Sequence, residues 1–456
     1  MKRLRSMGYL VWMRGLFIAL FGWWWLGGTG VLADADVQAP AASLVVSTQT
    51  VFLKYRELNF PVVSWPVSAD IQNARFRKEP ESGHHQVIRG KLGFGNSPEQ
   101  SIPFALDRSA RKLFLDLNRN QDLTDDPNGV FTCSFNNPRA GKYQTATNVH
   151  LAFETPKGSH PALMDLSFFF SGAELTVFAT CRYCWEGKIS VGDRDWQLAL
   201  VDNLAGKIGD VGGSSLIVRP WNERDEPCSG RREALESIDF CKNLFFGGEL
   251  FSLESAYVQQ DKAPAYRLEL KRQAAECGEI RLPGKFIHRV VFTRDVSSQS
   301  SLTTAAQEAF AARYGLKLTS GGEASAGKRL TKKEQAPLTV VLESPGPVER
   351  IPIGEYHYRL TLKAGNGEAY RPADVSGLRT MLGSPVIIGS NAVVLNVGGP
   401  LTNMVSVSKN GDWLLLNYSL VGLGGDRYQM LPAGPAPEFT IYRGDKQVST
   451  GQFEYG

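Results

Sequence analysis

The sequence predicts a mainly β, multidomain protein. Its N-terminal and middle regions read as β-rich with one or two short helices, followed by a C-terminal immunoglobulin-like sandwich. Three observations carry this. Short apolar runs recur along the chain, punctuated by Gly, Pro, Asn and Asp at the spacing of all-β proteins. The 456 residues include 46 glycines and are 43% hydrophobic, as a folded, turn-rich chain requires. Only two stretches carry helical spacing with caps.

In chain order, Lys2, Arg3, Arg5 and Arg14 form a basic region, Gly15 to Leu26 an apolar core, and Val31-Leu32-Ala33 a small-residue cleavage signal. Residues 1–33 thus read as a secretory signal peptide, with an uncleaved anchor as the alternative, and predict a periplasmic or extracellular location. The chain has 50 basic and 46 acidic residues. Removing that segment takes away only basic groups and leaves the two signs equal, so no field draws the remainder to nucleic acid. Contact with a membrane is expected only if the segment stays uncleaved.

Residues 34–43 read as a flexible leader. An N-terminal β domain follows over 44–155, with strands such as Thr50–Leu53, Gln86–Phe94 and Val149–Phe153. A middle β-rich domain spans 156–300, and Phe168-Phe169-Phe170 within it suits a buried strand. Ser229–Asn243 has a Ser cap and places Ala234, Leu235, Ile238 and Cys241 on one helical face, which predicts a short helix. Thr303–Tyr314, capped by Thr and stopped by Gly315, predicts a second, in a helix-and-linker segment over 301–336. From 337 to 456, seven or eight short strand patterns predict the sandwich, with Asn410-Gly411 as a hairpin turn.

Chemistry concentrates after Leu113-Phe114-Leu115. Asp116, Asn118 and Asn120 alternate, as the first half of a hard-cation loop requires, and Asp122 and Thr124 fall at positions seven and nine. Asp125 or Asp126 would supply the closing carboxylate, because Pro127 stands where a bidentate Glu is usual. Gln121 takes the place of the usual turn glycine. The expectation is a structural calcium loop joining β elements; the alternative is a solvated turn held by its own Asp and Asn side chains. Asp202-Asn203-Leu204-Ala205-Gly206 and Asp210 repeat the pattern weakly, with most oxygen ligands gone.

The Asp116 stretch resembles the Asp-x-Asp-x-Asp-Gly loop of EF-hands and their relatives without the flanking helices. The strand before that loop, Ile353-Gly354-Glu355-Tyr356, and the ending Phe453-Glu454-Tyr455-Gly456 resemble a type of exported bacterial β-rich protein of unassigned activity. That resemblance implies secretion and β architecture, and brings no catalytic residues.

Cys181-Arg182-Tyr183-Cys184 leads into a strand pattern, whereas a redox C-x-x-C opens a helix. Six cysteines in an exported chain predict disulfides, at least two of them, in a pairing that spacing does not select. The six histidines show no metal-ligand spacing, no nucleophile elbow or phosphate loop occurs, and Arg443-Gly444-Asp445 fits a hairpin turn. The leading expectation is a non-enzymatic envelope or extracellular β-protein, rigidified by calcium and disulfides, that binds a protein or glycan. The alternatives are a polysaccharide-acting hydrolase with unidentified carboxylates and a thiol or metal protein built on Cys181 and Cys184.

Overall fold

A computed structural model describes residues 47–71, 75–80, 87–94, 100–134, 143–171, 174–201, 214–224, 237–294, 337–363, 369–372, 385–411, 413–431 and 437–453. The signal segment, the leader, the 202–210 repeat and the Thr303–Tyr314 helix lie outside them. The protein is mainly β, and no helix of seven or more residues occurs among the described residues. None there is long and apolar enough to cross a membrane.

Strand β1 (Thr48–Glu57) belongs to a sixteen-stranded sheet. An eight-stranded sheet follows, from β2 (Ser64–Asp70), β3 (Val87–Gly93), β4 (Ser101–Asp107), β5 (Lys112–Leu115), β6 (Val130–Thr132), β7 (Tyr143–Thr155), β8 (Gly158–Ser171) and β9 (Glu174–Cys181). The chain returns to the large sheet through β10 (Tyr183–Val191), β11 (Arg194–Val201), β12 (Ser215–Pro220), β13 (Ser237–Asp239), β14 (Asn243–Phe246), β15 (Glu249–Gln260) and β16 (Ala263–Gln273). A three-stranded sheet then interleaves with it. To the small sheet go β17 (Cys277–Arg281), and later β20 and β24; the large sheet takes β18 (Ile287–Arg294) and β19 (Leu338–Glu343). Next come β20 (Val348–Pro352), β21 (Gly354–Lys363), β22 (Ala369–Pro372), β23 (Val386–Ile388) and β24 (Val393–Val394). The large sheet ends with β25 (Thr402–Asn410), β26 (Trp413–Val421) and β27 (Arg427–Leu431), and β28 (Glu438–Arg443) pairs with β29 (Lys446–Gln452) as a separate hairpin.

The order of the large sheet is β13-β12-β11-β10-β1-β16-β15-β14-β19-β18-β21-β22-β27-β26-β25, with β23 also on β21. The eight-stranded order is β6-β5-β4-β3-β2-β9-β8-β7. One core joins both sheets and includes Leu53, Phe104, Phe153, Phe168, Trp185 and Tyr266. A corner of one residue, Arg182, takes the chain from β9 to β10: its amide donates to the Leu163 carbonyl (2.9 Å) and its carbonyl accepts from the Leu58 amide (2.8 Å). Next to this corner, His160 of β8 is fully buried among the rings of Tyr183, Trp185, Tyr257 and Tyr266.

A second core, around Phe292, Tyr356 and Leu360, lies with the small sheet and β18, β19 and β21, the two-layer arrangement of a sandwich. This layer also takes in β17 and β18, which precede the 301–336 segment, because β18 pairs with both β19 and β21. Two arginines, Arg289 buried and Arg359 partly so, tie it to the far end of the large sheet. Arg289 is paired with Glu343 directly opposite and donates to the Val218 carbonyl of β12 (2.9 Å). Arg359 donates to the Ser237 carbonyl of β13 (3.2 Å), and burial holds its guanidinium below the usual range. The edge strand β13 and its neighbour β12 are thereby held against the middle of their own sheet by guanidinium–carbonyl bonds.

Two expectations are corrected. Ser229–Asn243 is not a helix over its described part: Ser237–Asp239 is strand β13, paired with Ser215–Ile217, and Asn243 opens β14. Ladder pairing with β12 outweighs the short apolar spacing, and Phe240, off the helical stripe, is accommodated outside the strand. No disulfide forms among the described cysteines: Cys133, Cys181, Cys184, Cys241 and Cys277 are thiols, and Cys228 lies outside the described residues. Cys181, Cys184 and Cys277 lie on strands and Cys133 and Cys241 in the connections beside them, and the even count did not translate into proximity among the described five. The Arg443-Gly444-Asp445 tripeptide forms the expected hairpin turn, with Gly444 at φ 61°.

Candidate metal centre

The Asp-rich stretch is the connection of the β5–β6 hairpin, at the outer edge of the eight-stranded sheet. Its first residue still belongs to the ladder, since the Asp116 amide donates to the Pro103 carbonyl of β4 (3.0 Å). The chain then coils around the Asp116 carboxylate, which is fully buried. Oδ1 accepts from the Asn120 amide (3.1 Å) and Oδ2 from the Gln121 amide (3.0 Å). Asn118 Oδ1 also accepts from the Asn120 amide (3.1 Å), and Asn120 Oδ1 accepts from the Asp122 amide (2.7 Å). Two left-handed residues make this coil: Arg119 at φ 61° and Gln121 at φ 70°. Gln121 thus adopts the conformation for which glycine is usual, at a cost of about 1–2 kcal/mol that its backbone bonds offset.

Leu123, buried at 2% exposure, anchors the middle of the loop. Beside it the Gln121 carbonyl accepts from the Arg77 amide (2.8 Å), and the Leu123 amide donates to the Lys78 carbonyl (3.0 Å). The pairing uses the Gln121 carbonyl and not that of Asp122. The Asp122 carboxylate turns away to Thr124, whose amide it accepts (2.9 Å), and to Lys78 (3.4 Å). The Thr124 hydroxyl, then its amide, then Lys78 hold that carboxyl below the usual range. Thr124 is therefore engaged with Asp122 through both its hydroxyl and its amide.

The turn after Leu123 decides between the two closing carboxylates. Asp125 swings over the mouth of the coil, where Oδ1 accepts from Asn118 Nδ2 (3.1 Å) and Oδ2 from Asn120 Nδ2 (2.6 Å). Asp126 is buried and accepts the Leu117 amide (3.1 Å), so it fastens the loop's entry to its exit. Burial, reinforced by the Asp116 and Asp125 charges, raises its pKa against the pull of the Leu117 and Asn118 amides. The exit is a tight turn, Pro127–Gly129, in which a Cβ on Gly129 would lie 2.3 Å from the Leu115 carbonyl oxygen. Pro127-Asn128-Gly129 reads as a turn in the sequence and is one. Lys78 is the supporting residue that sequence reasoning missed, and no signal in the sequence pointed to it.

The donor set is all oxygen, which suits a hard cation. Each Asp116, Asn118 and Asn120 oxygen accepts one backbone amide and keeps a second lone pair. Among the described residues, no group of three or more His, Cys, Asp or Glu side chains is placed to hold a metal ion. Asp116 and Asp125 are the carboxylates that bond within the coil, beside the amide oxygens of Asn118 and Asn120.

Elsewhere the chemistry is quieter. Cys184 is buried and its thiol is pushed up to about 12, mainly by burial; Cys133 is pushed up to about 11 by the same cause. A redox C-x-x-C needs the opposite shift. A cleft of about 350 Å³ between Asp195, Trp221, Glu223 and Ser344 contains two carboxylates. Lys188 and then Ser190 hold Asp195 below the usual range, and Arg224 covers the Trp221 ring at 4.3 Å. A guanidinium thus lies over one face of the indole.

These thiols give a direct test of the packing. Iodoacetamide at pH 8 is expected to label half-exposed Cys277 first and to leave Cys133, Cys181, Cys184 and Cys241 unmodified until denaturant is added. Peptide mapping that found Cys184 alkylated as fast as Cys277 in native protein would contradict the burial of the β9–β10 corner.

No family model, no curated protein and no solved structure matches the chain.

Proposed function

We propose that the protein is an exported, non-enzymatic β-protein of the periplasm or extracellular space, whose Asp116–Asp126 loop binds calcium as a structural clasp. Its role is to present a rigid β surface to a protein or glycan partner. The observation that supports the clasp is the coil around the Asp116 carboxylate, with Arg119 and Gln121 left-handed and Asp125 facing Asn118 and Asn120. Asp116, Asn118, Asn120 and the Asp122 carbonyl would hold the ion, and Asp125 would close the set. Asp126 and Thr124 act on the backbone and on Asp122, outside the ion's reach. Calcium would remove the repulsion among the aspartates and lock the β5–β6 hairpin to the Arg77–Lys78 segment.

Extracellular calcium modules have dissociation constants of about 10⁻⁴ to 10⁻³ M, and a set with two carboxylates belongs at that weak end. Calcium at ten times such a constant stabilises the fold by about 1.4 kcal/mol. The thermal midpoint is expected to rise with millimolar calcium and to respond less to magnesium, which demands smaller octahedral geometry. Asp116→Ala is expected to abolish the rise. Equal midpoints in calcium and in chelator, for wild type and variant alike, would reduce the loop to a polar turn.

A further inference from the structure

The last hairpin of the large sheet stands apart from the rest. β25 and β26 pair without a bulge from Thr402–Val421 to Asn410–Trp413, yet β26 meets β27 only through Leu420 and Val421. Beyond those residues a two-stranded ribbon projects with both edges unpaired among the described strands. Such a ribbon is marginal in water unless a further strand or layer supports it. This one is apolar as well: Val405, Val407, Leu414 and Trp413 are 51%, 61%, 60% and 80% exposed. Phe453 packs on Tyr418 with ring centroids 5.4 Å apart, on the face that also carries Val405, Val407, Lys409 and Leu414.

Every residue of β25 is exposed, and it is the end strand of the sheet. Exposed edges are ordinarily blunted by charge, proline or a bulge. β25 has one lysine, no proline and no register shift against β26. We propose that a second copy of this chain occupies the edge, its β25 added antiparallel across a twofold axis through Ser406.

The register follows from the sequence. Paired residues must share a face, so only every second register is open. Centred on Ser406, all nine residues Thr402–Asn410 are matched. Val405 then faces Val407 of the copy, Met404 faces Ser408, and the single charge, Lys409, faces Asn403. Centred one residue either way, Lys409 faces Leu401 or Val405 instead, and the ladder shortens. The Ser406 register is the one in which apolar residues meet and the charge meets an amide oxygen. It forms a four-stranded sheet, β26-β25 followed by the copy's β25-β26, in which each Val405–Val407 pair runs between Tyr418 of one copy and Leu416 of the other on one face.

A charge-exchange experiment on the purified chain tests this. By sedimentation equilibrium, wild type is expected to be dimeric at micromolar concentration. Val405→Lys/Val407→Lys opposes like charges at two symmetric places and is expected to raise the dimer dissociation constant by at least about 100-fold. Val405→Lys/Val407→Glu sets each new lysine against a new glutamate of the copy and is expected to restore the dimer. The thermal midpoint of the two variants, measured on monomer, separates loss of pairing from loss of folding. A wild type that stays monomeric at tens of micromolar overturns the proposal. So does a dimer that survives the double lysine change, or one that the lysine–glutamate pair does not restore. A monomeric wild type that floats with anionic phospholipid vesicles would assign the ribbon to a lipid surface instead.

Discussion

Glu343→Leu is expected to destabilise the protein by about 3–5 kcal/mol, because it leaves the buried Arg289 guanidinium without its counter-charge. Both groups are almost inaccessible, at 2% and 7% exposure, and water cannot replace the lost carboxylate. The Val218 carbonyl still accepts from Arg289, but a carbonyl dipole does not neutralise a full charge. Arg289→Met/Glu343→Leu is expected to recover most of the loss, since apolar residues of similar volume replace buried ion pairs at little net cost. Urea unfolding of the wild type, the single and the double variant measures the cycle. A single variant within 1 kcal/mol of wild type would mean that solvent reaches the pair.

Trp185→Ala is expected to cost a similar amount, about 3–5 kcal/mol, for a different reason. The indole is fully buried and lies within ring contact of Tyr55 (5.5 Å), His160 (5.1 Å), Tyr257 (5.9 Å) and Tyr266 (5.2 Å). These side chains come from both sheets, so the space left by truncation sits where the sheets meet and neither alone can close it. Near-ultraviolet circular dichroism should lose most of its aromatic signal, and the denaturation midpoint should fall. Trp185→Phe keeps part of the volume and is expected to lose less than half as much. These two effects exceed the 1.4 kcal/mol or so expected from calcium, so the clasp tunes a fold that the core already holds.

Strands with alternating or continuous apolar residues were legible in the sequence, and the Asn410-Gly411 turn announced its hairpin. The unread strands share a physical cause. β4 carries Pro103, which ordinarily argues against an interior strand; here its carbonyl still takes the Asp116 amide, while the strand pairs on both sides. β17 and β20 have few apolar residues and exist because they pair with one another. In the loop, the order of ligands was legible from Asp116, Asn118 and Asn120. Asp125 could not be separated from Asp126, because a buried leucine and the Lys78 segment, some forty residues upstream, set the path between them. The projecting ribbon was hidden for the same reason. Its exposure depends on how few residues of β26 meet β27, which is a property of the sheet and not of the strand.

β1, the first described strand, lies near the middle of the large sheet, between β10 and β16. Arg56 meets Glu186, 130 residues on, and Thr48 lies opposite Lys271, more than two hundred residues on. Contacts of such high order make folding slow, because the entropy of closing the loops precedes the reward. A chain emerging from its N-terminus can pair β1 with β10 first and covers its other edge only when β16 has appeared; meanwhile the eight-stranded sheet, whose strands are all consecutive, can form by itself. β1 therefore waits for strands far along the chain before both of its edges are covered.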